Sequence, residues 1–381
     1  MRKVMEQLKL VNMPIDNYLV KNFSANKFCD ETERQSLEKK YAKLLEVTEK
    51  FNRQSVSYQL SKKNTLHSWL KYKEGFSATL VNILLDEMGA TAGDWIMDPF
   101  MGSGTTALVC QMRGINSIGY DVMPISAVSI RAKAAVMKYD VDEIRRLIKD
   151  ISDLSVPDGY NNTTPYITIT RGAYPQENEL FLAYINDWNE QSRYSQEVKN
   201  LLTLCIINSL EKCSFTIKSG QYLRWDCRSK KVQNANKIRA SKGKKLLPEK
   251  FVRAEILDSK KSIIDELLHV LKDIDLIQKN WVYATRSEIN FVPKSALYEL
   301  PLVESSKLTG VITSPPYCNR YDYTRTYALE LVYLGIGEEK IKKMRQDLLS
   351  CTVESKSKID NLKNYYSSIG QSDRFDYIYT T

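Results

Sequence analysis

Residues 94–113 restrict the possible folds of this chain more than any other stretch, because they predict a strand, a glycine turn and a helix in direct succession. Gly102 and Gly104 let the backbone pass close to a ligand in conformations that other residues avoid. The helix that begins after Gly104 offers free N–H groups at its amino end. The pattern therefore predicts an α/β fold, with a ligand bound at the carboxyl ends of the strands of a mostly parallel sheet.

Three classes of ligand could occupy such a turn. A phosphate loop requires a lysine directly after its last glycine, and here Thr105 follows Gly104, so this class is excluded. A dinucleotide site stays open, because residues 102–107 match the pattern G-x-G-x-x-A and Asp121 follows at a plausible distance. S-adenosylmethionine is the third class. For either adenosine cofactor, Asp121 ends a predicted strand at residues 117–121, where its carboxylate can accept both ribose hydroxyls.

A second constrained stretch is the loop Ser314-Pro315-Pro316-Tyr317, which follows a short apolar run. Neither proline has an N–H group and each fixes its own φ, so the loop is stiff and cannot continue a strand ladder. The Ser314 hydroxyl and the Pro315 carbonyl could accept the hydrogens of an exocyclic amino group and direct its lone pair at an electrophile. Tyr317 would stack on the base, which is worth roughly 1–3 kcal/mol. The alternative is a Pro-Pro turn with a surface tyrosine.

Together, residues 98–106 and the loop 314–317 resemble the motifs of the amino-group DNA methyltransferases. The Ser-Pro-Pro-Tyr form is similar to that of the cytosine-N4 subgroup, whereas the adenine-N6 enzymes usually have Asp or Asn at the position of Ser314. The order of cofactor motif, long insertion and catalytic motif is that of the alpha arrangement, in which the insertion recognises the target. The resemblance implies a Rossmann-like sheet, S-adenosylmethionine as cofactor and double-stranded DNA as substrate. It also implies in-line methyl transfer to a flipped-out cytosine without a covalent enzyme intermediate.

The resemblance also assigns residues to the site. The catalytic residues would be Ser314, Pro315, Pro316 and Tyr317. The cofactor would be held by aromatic walls, the glycine turn and two carboxylates, namely by Phe76, Asp98, Phe100, Gly102, Gly104, Thr105, Asp121 and Thr313. Within this set, Asp98 would face the methionine amine of the cofactor. Cys318 is excluded as a nucleophile of C5 chemistry, because that chemistry uses a Pro-Cys pair and here Tyr317 intervenes.

Residues 139–280 are too long for a single crossover between two strands, which predicts an inserted region. Within it, residues 218–253 contain twelve Lys and Arg against two Asp and Glu, an excess that accounts for the whole net charge of +9. Such a concentration favours contact with a phosphate backbone over a merely solvated basic face, and RNA would fit it as well as DNA. The candidate nucleic-acid contacts are Arg224, Arg228, Lys230, Lys231, Arg239, Lys244 and Lys245.

The predicted organisation has five parts. They are a helical extension at 1–54, a cofactor-binding half at 55–140, an inserted and partly basic target-recognition region at 141–280, a catalytic half at 281–350 and a polar tail at 351–381. Short alternating patterns predict strands at 56–60 and 375–379, and Ser77 is expected to cap a helix at 78–88. Only 47 residues follow Leu334, without the apolar runs that further strands of a methyltransferase sheet need. We therefore expect later strands to be missing, because the chain is a fragment or because a carboxyl-terminal complementing polypeptide supplies them.

Composition excludes several classes of protein. Seven scattered cysteines form no C-x-x-C pair and only two histidines occur, so no metal site is expected and the thiols fit a reduced, cytoplasmic protein. No apolar run is long enough to span a bilayer, so no membrane partner is expected. The expected function is that of a cytosine-N4 methyltransferase working beside a cognate restriction endonuclease. Adenine-N6 methylation, an RNA amino methyltransferase, an incomplete DNA-binding subunit and a nicotinamide-dependent oxidoreductase stay open as alternatives.

Overall fold

The computed structural model describes residues 31–43, 51, 56–57, 59–73, 75–220, 222–247, 252–253, 255–280, 287–316, 321–348 and 357–380. Contacts divide the chain into two units, Met1–Phe51 and Asn52–Thr381. In the first unit, helix α1 spans Glu31–Tyr41. Most of the helical extension predicted for this unit lies outside the described residues.

A parallel sheet forms the centre of the second unit, and a short antiparallel hairpin lies apart from it. The strands of the described residues are β1 (Trp95–Asp98), β2 (Asn116–Tyr120), β3 (Thr216–Ser219), β4 (Tyr222–Trp225), β5 (Ile289–Val292) and β6 (Gly310–Val311). The sheet has the order β5-β2-β1-β6 with all neighbours parallel, and β3 pairs with β4. From β1 the chain continues to β2 and β5 on one side of β1, and it later returns to β6 on the other side. This reversal of the strand order opens a crevice at the carboxyl ends of β1 and β6. The predicted α/β class and Rossmann-like sheet are confirmed.

Helices build most of the rest of the second unit. They are α2 (Ala78–Glu87), α3 (Thr105–Met112), α4 (Pro124–Ala134), α5 (Val141–Asp153), α6 (Gln176–Gln191), α7 (Gln196–Leu210), α8 (Lys230–Ser241), α9 (Ser259–Asn280), α10 (Ala296–Glu299), α11 (Tyr323–Thr326), α12 (Ala328–Tyr333), α13 (Glu338–Asp347), α14 (Ile359–Ser368) and α15 (Ser372–Thr380). None of the described helices combines the length and the apolar character that a bilayer span requires.

Apolar side chains on both faces of the sheet hold the strands in place. Successive residues of a strand point to opposite faces. Accordingly, Ile96 of β1 packs with α2 and α3, while Met97 packs on the other face with Tyr120 and α10. Helix α2 begins as predicted, because the Ser77 hydroxyl accepts a hydrogen bond from the Leu80 amide at 3.1 Å.

The region between α4 and β5 shares its core with the residues that border the sheet. One apolar cluster joins side chains of α6, α7 and α9 to Trp69 and to Tyr327. The Trp69 indole N–H donates to the Asp273 carboxylate of α9 at 2.9 Å, and the Leu66 amide donates to the same oxygen at 3.0 Å. The inserted helices are therefore anchored beside the sheet, whereas the five-part division of the chain stays a prediction.

After β6 the chain is helical or irregular wherever it is described, and no further strand occurs in those residues. Helices α14 and α15 are tied to the segment that follows β5. The Tyr365 hydroxyl donates to the Tyr298 carbonyl at 2.8 Å, and the Gln371 side chain donates to the Pro301 carbonyl at 2.8 Å.

Two predicted strands are wrong. In the segment 56–60, Val56 lies in an exposed turn and Leu60 begins a 3-10 turn, Leu60–Lys63. The segment 375–379 lies within α15, where the rings of Phe375 and Tyr379 stack at a centroid distance of 5.8 Å. These two rings are four residues apart and so share one helix face. A period of two over five residues is too short to separate a strand from a turn or a helix.

Candidate active site

The glycine turn connects the end of β1 to the start of α3 and depends on two glycines. Gly102 has φ 54° and Gly104 has φ 88°, a region that side chains rarely adopt. Space is also limiting, since a Cβ atom at Gly104 would lie 2.8 Å from Cγ1 of Ile130. At Gly102 it would lie 3.1 Å from Cε1 of Tyr72. Both positions therefore require glycine for conformation and for packing.

The buried carboxylate of Asp98 holds this turn through hydrogen bonds. It is 2% exposed, and its carboxylate accepts hydrogen bonds from the Thr106 hydroxyl at 2.8 Å and from the Phe100 amide at 3.1 Å. Burial raises the pKa of Asp98 to about 6, and the Thr106 hydroxyl opposes this rise. The carboxylate thus binds the turn itself, and its predicted contact with the cofactor amine stays a prediction.

Asp121 follows β2 and holds the turn from the side. One carboxylate oxygen accepts from the Gly102 amide at 2.8 Å and the other from the Met123 amide at 2.7 Å. Burial raises the pKa of Asp121 to about 6, and these two amides oppose the rise. A carboxylate has about four acceptor sites, so hydroxyl groups in the adjacent cleft can still be bound.

A cleft that is open to solvent lies at the carboxyl ends of β1, β2 and β6. The glycine turn and the end of β2 form one wall, to which Gly102 and Asp121 belong. Ser314 and Pro316, which follow β6, line the same cleft. Two segments that are far apart in the chain therefore face one cavity, as the crevice between β1 and β6 requires.

The predicted site residues occupy different positions around this cleft. Those that line it are Phe76, Phe100, Gly102, Thr105, Asp121, Ser314 and Pro316. Gly104 is packed on Ile130, and Thr313 lies beside the Asp98 carboxylate. Pro315 is exposed. Tyr317, together with Cys318, lies outside the described residues.

Several lining residues were not predicted from the sequence. They are chiefly Lys294, Ser295, Tyr323 and Asp347. Tyr72 also lines the cleft, and it belongs to the aromatic residues before α2 whose position in the sequence suggests a wall of the cofactor pocket. Asp347 ends α13, and its backbone carbonyl accepts a hydrogen bond from the Ser295 hydroxyl at 2.8 Å. Partial burial raises the pKa of Asp347.

The basic residues proposed as nucleic-acid contacts fall into two groups. Three of them serve the fold of the insertion. Arg228 pairs with the buried Asp226 at 2.7 Å, Lys231 donates to the carbonyls of Thr168 and Ile169 at 3.0 Å, and Arg239 donates to a backbone carbonyl at 2.6 Å. Arg228 is itself exposed, and so are the other candidates, Arg224, Lys230, Lys244 and Lys245. Within the described residues, no cluster of side chains could hold a metal ion.

Comparison with known proteins gives consistent matches. A family model of N6 and N4 methyltransferases, described as DNA methylase, matches residues 16–127. The chain is 45% identical over 359 residues to the type II methyltransferase M.BsoBI of Geobacillus stearothermophilus, covering 94% of this chain and 70% of the relative. It is 37% identical over 332 residues to the type II methyltransferase M.AvaI of Nostoc sp., covering 85% of this chain and 65% of the relative.

A shorter match of 38% identity over 86 residues, which is 23% of this chain and 16% of the relative, links it to the type II methyltransferase M.MjaII of Methanocaldococcus jannaschii. No solved structure matches the chain. The extent of the M.BsoBI match is decisive, and the matched family model includes the glycine turn that borders the cleft. The chain therefore belongs to the amino-group DNA methyltransferases, whose methyl donor is S-adenosylmethionine.

Proposed function

We propose that this chain transfers a methyl group from S-adenosylmethionine to the N4 amino group of cytosine in duplex DNA, as the modification enzyme of a restriction–modification system. The observation that carries the proposal is the shared cleft, which Ser314 and Pro316 line together with Gly102 and Asp121. The relatives described above are named type II methyltransferases.

The cleft residues fit an adenosyl cofactor in shape and in chemistry. The Gly102 backbone lines the cleft, and the Asp121 carboxylate retains acceptor capacity toward ribose hydroxyls. Phe76 and Phe100 supply apolar walls on which a planar ring can rest. When bound, S-adenosylmethionine supplies an electrophilic methyl group on its sulfonium.

The catalytic loop orients the acceptor nitrogen. The Ser314 hydroxyl and the Pro315 carbonyl accept the two amino hydrogens, which directs the lone pair of the nitrogen toward the cofactor side of the cleft. Tyr317 stacks on the flipped base, and the step needs no covalent bond between enzyme and base. The cytosine preference rests on serine at position 314, where adenine-N6 enzymes usually carry Asp or Asn.

DNA reaches the cleft across the insertion. The exposed cations Arg224, Lys230, Lys244 and Lys245 contact phosphates, and these contacts do not depend on base sequence. A second candidate function is that of a subunit which binds cofactor and DNA but transfers methyl groups only with a complementing polypeptide. In the described residues, β6 is the last strand of the sheet along the chain.

The test is to incubate the purified chain with DNA and isotope-labelled S-adenosylmethionine, digest the DNA to nucleosides and identify the product by mass. The proposal expects N4-methylcytosine, its loss in Ser314→Ala and Tyr317→Ala, and protection of the DNA against a cognate restriction endonuclease. N6-methyladenine would assign the adenine chemistry instead. Cofactor and DNA binding without any methylated base, restored by a second polypeptide, would assign the subunit function.

A further inference from the structure

A buried ion pair ties the β3–β4 hairpin to α12, the second helix after the catalytic loop. Lys218 of β3 pairs with Glu330 of α12, and the two side chains are 12% and 3% exposed. Glu211 lies 3.8 Å from the same ammonium group. Buried ion pairs add little net stability compared with apolar side chains of the same volume, but they demand one particular geometry. The pair therefore serves better to position α12 against the hairpin than to stabilise the fold.

A continuous file of contacts leads from this lysine to the cofactor turn. The Lys218 ammonium lies 4.5 Å from the ring centroid of Tyr327, within cation–π distance. The Tyr327 ring stacks on that of Tyr72, with centroids 5.2 Å apart and an interplanar angle of 13°. Tyr72 in turn packs against Gly102, whose amide donates to the Asp121 carboxylate at 2.8 Å.

The tip of the hairpin is joined to the two chain segments that flank the cleft. Lys73 donates from its ammonium group to the Gly220 carbonyl at 3.0 Å and from its amide to the Tyr327 hydroxyl at 2.7 Å. The Tyr321 hydroxyl donates to the same Gly220 carbonyl at 3.4 Å. A displacement of the hairpin tip thus acts on the wall of the cleft and on the chain just after the catalytic loop.

The outer side of the same hairpin is suited to a nucleic acid. Tyr222 is 57% exposed, and the guanidinium group of Arg325 lies 5.9 Å from its ring centroid. Arg224, two residues along β4, is also exposed. An exposed aromatic ring beside cations is the arrangement that stacks bases and holds phosphates. One hairpin therefore carries a candidate DNA surface outward and Lys218 inward.

We propose that Lys218 is a positioning residue that couples DNA binding at the β3–β4 hairpin to cofactor binding at the glycine turn. DNA on the hairpin and the cofactor over Gly102 favour the same arrangement of Tyr327 and Tyr72. Each ligand then strengthens the binding of the other by the same factor, as thermodynamic linkage requires. This inference rests on the proposed function, since it assumes that the hairpin meets DNA and that the cleft meets an adenosyl cofactor.

The experiment measures the dissociation constant of S-adenosylhomocysteine for the full chain, with and without a saturating DNA duplex. This duplex is unmethylated and contains the target sequence that the methylation test identifies. In the wild type, DNA tightens cofactor binding about tenfold, within the usual range of coupling between sites. In Lys218→Met this ratio falls to about one, and in Lys218→Arg most of it is retained. The matched control is Lys212→Met, which breaks the Lys212–Glu266 pair of the same insertion and leaves the ratio unchanged.

Loss of folding is controlled by a second variant. Lys218→Met alone leaves Glu330 buried without its cation, so Lys218→Met with Glu330→Leu removes both charges and preserves the apolar core. A wild-type ratio in either folded variant, or a ratio near one in the wild type while both ligands bind, overturns the inference. Failure of the proposed function would look different, because the wild type would then bind no adenosyl cofactor or form no methylated base.

Discussion

The glycine turn and the basic segment 218–253 present their ligand-facing groups in different ways. The turn uses backbone groups, and its Phe100 and Gly102 amides donate to Asp98 at 3.1 Å and to Asp121 at 2.8 Å. The basic segment uses long side chains, and Arg228, Lys231 and Arg239 are engaged within the protein. A backbone turn has one geometry that glycine permits, whereas a cation binds whichever acceptor the fold brings near. A single substitution in the turn should therefore affect ligand binding strongly, whereas a single substitution in the basic segment should affect it weakly.

The largest loss of stability is expected for Gly104→Ala. The added Cβ would combine a left-handed φ of 88° with an approach of 2.8 Å to Ile130. Backbone strain costs roughly 1–3 kcal/mol and overpacking a similar amount, so a loss of about 3 kcal/mol in unfolding free energy is expected. Urea unfolding measures this loss, and a cofactor titration measures the accompanying loss of cofactor affinity. Gly159→Ala is the control, because Gly159 has φ 81° and open space, and it should lose only about 1 kcal/mol. Equal losses in the two variants would show that packing in the turn is unimportant.

A buried cation beside the turn, Lys133, should make folding stability depend on pH. Its ammonium donates to the Ser103 carbonyl at 3.3 Å, and burial lowers its pKa to about 7. Between pH 7 and the unfolded value of 10.5, the unfolded chain binds the extra proton. Folding stability should therefore rise with pH by about 1.4 kcal/mol per pH unit in this window.

In Lys133→Met this contribution disappears, so the stability gained by the variant over the wild type is largest near pH 7 and shrinks toward pH 10. Urea unfolding at several pH values gives the difference. Lys138→Met, at an exposed position near the end of the same helical region, is the matched control for the loss of a lysine. Parallel pH profiles for the wild type and Lys133→Met would contradict the assignment.

Asp121 should make cofactor binding pH-dependent. Its pKa of about 6 means that the carboxylate loses its charge below this pH, and a protonated carboxyl is a poorer acceptor for ribose hydroxyls. Affinity for S-adenosylhomocysteine should fall about tenfold per pH unit below pH 6, and Asp121→Asn should bind weakly at every pH without this slope. Titrations from pH 5 to pH 8 measure both. Asp98→Asn separates the two acids, since Asp98 also has a pKa of about 6. If the dependence of affinity on pH vanished in Asp98→Asn and persisted in Asp121→Asn, Asp98 would be its cause.

The smallest effects are expected in the basic segment, and they should divide by role. Lys244→Ala removes one exposed cation, so the slope of log affinity for DNA against log salt should decrease by about 0.9 without a change in melting temperature. Arg228→Met should lower the melting temperature at neutral pH, because Arg228 holds the pKa of the buried Asp226 at about 2. That contribution is present above pH 3.8 and is lost as the pH falls through about 2. If both variants changed the salt dependence of DNA binding and the melting temperature equally, the distinction between structural and DNA-binding cations would be wrong.

Local chemistry explains why the turn was predictable. Strand, glycine and helix patterns over residues 94–113 depend on neighbours in the chain, and so does the cap at Ser77. That the glycine turn and the segment after β6 border one cleft agrees with the rule that parallel strands end at one edge of the sheet. By contrast, the strands predicted at 56–60 and 375–379 rested on five residues each, which packing redirected into a turn and a helix.

By itself, the sequence determined the α/β class, the glycine turn, the place of the Ser-Pro-Pro segment after a strand and the concentration of positive charge, since each depends on residue type and spacing. Only the tertiary structure decided which cations are used internally, that Asp98 binds the turn, and that Lys294 and Asp347 border the cleft. It also joined Lys218 to Glu330 across the core. The reason is physical: backbone conformation is set by nearest neighbours, whereas the partner of a charge or ring is set by which distant segments pack together.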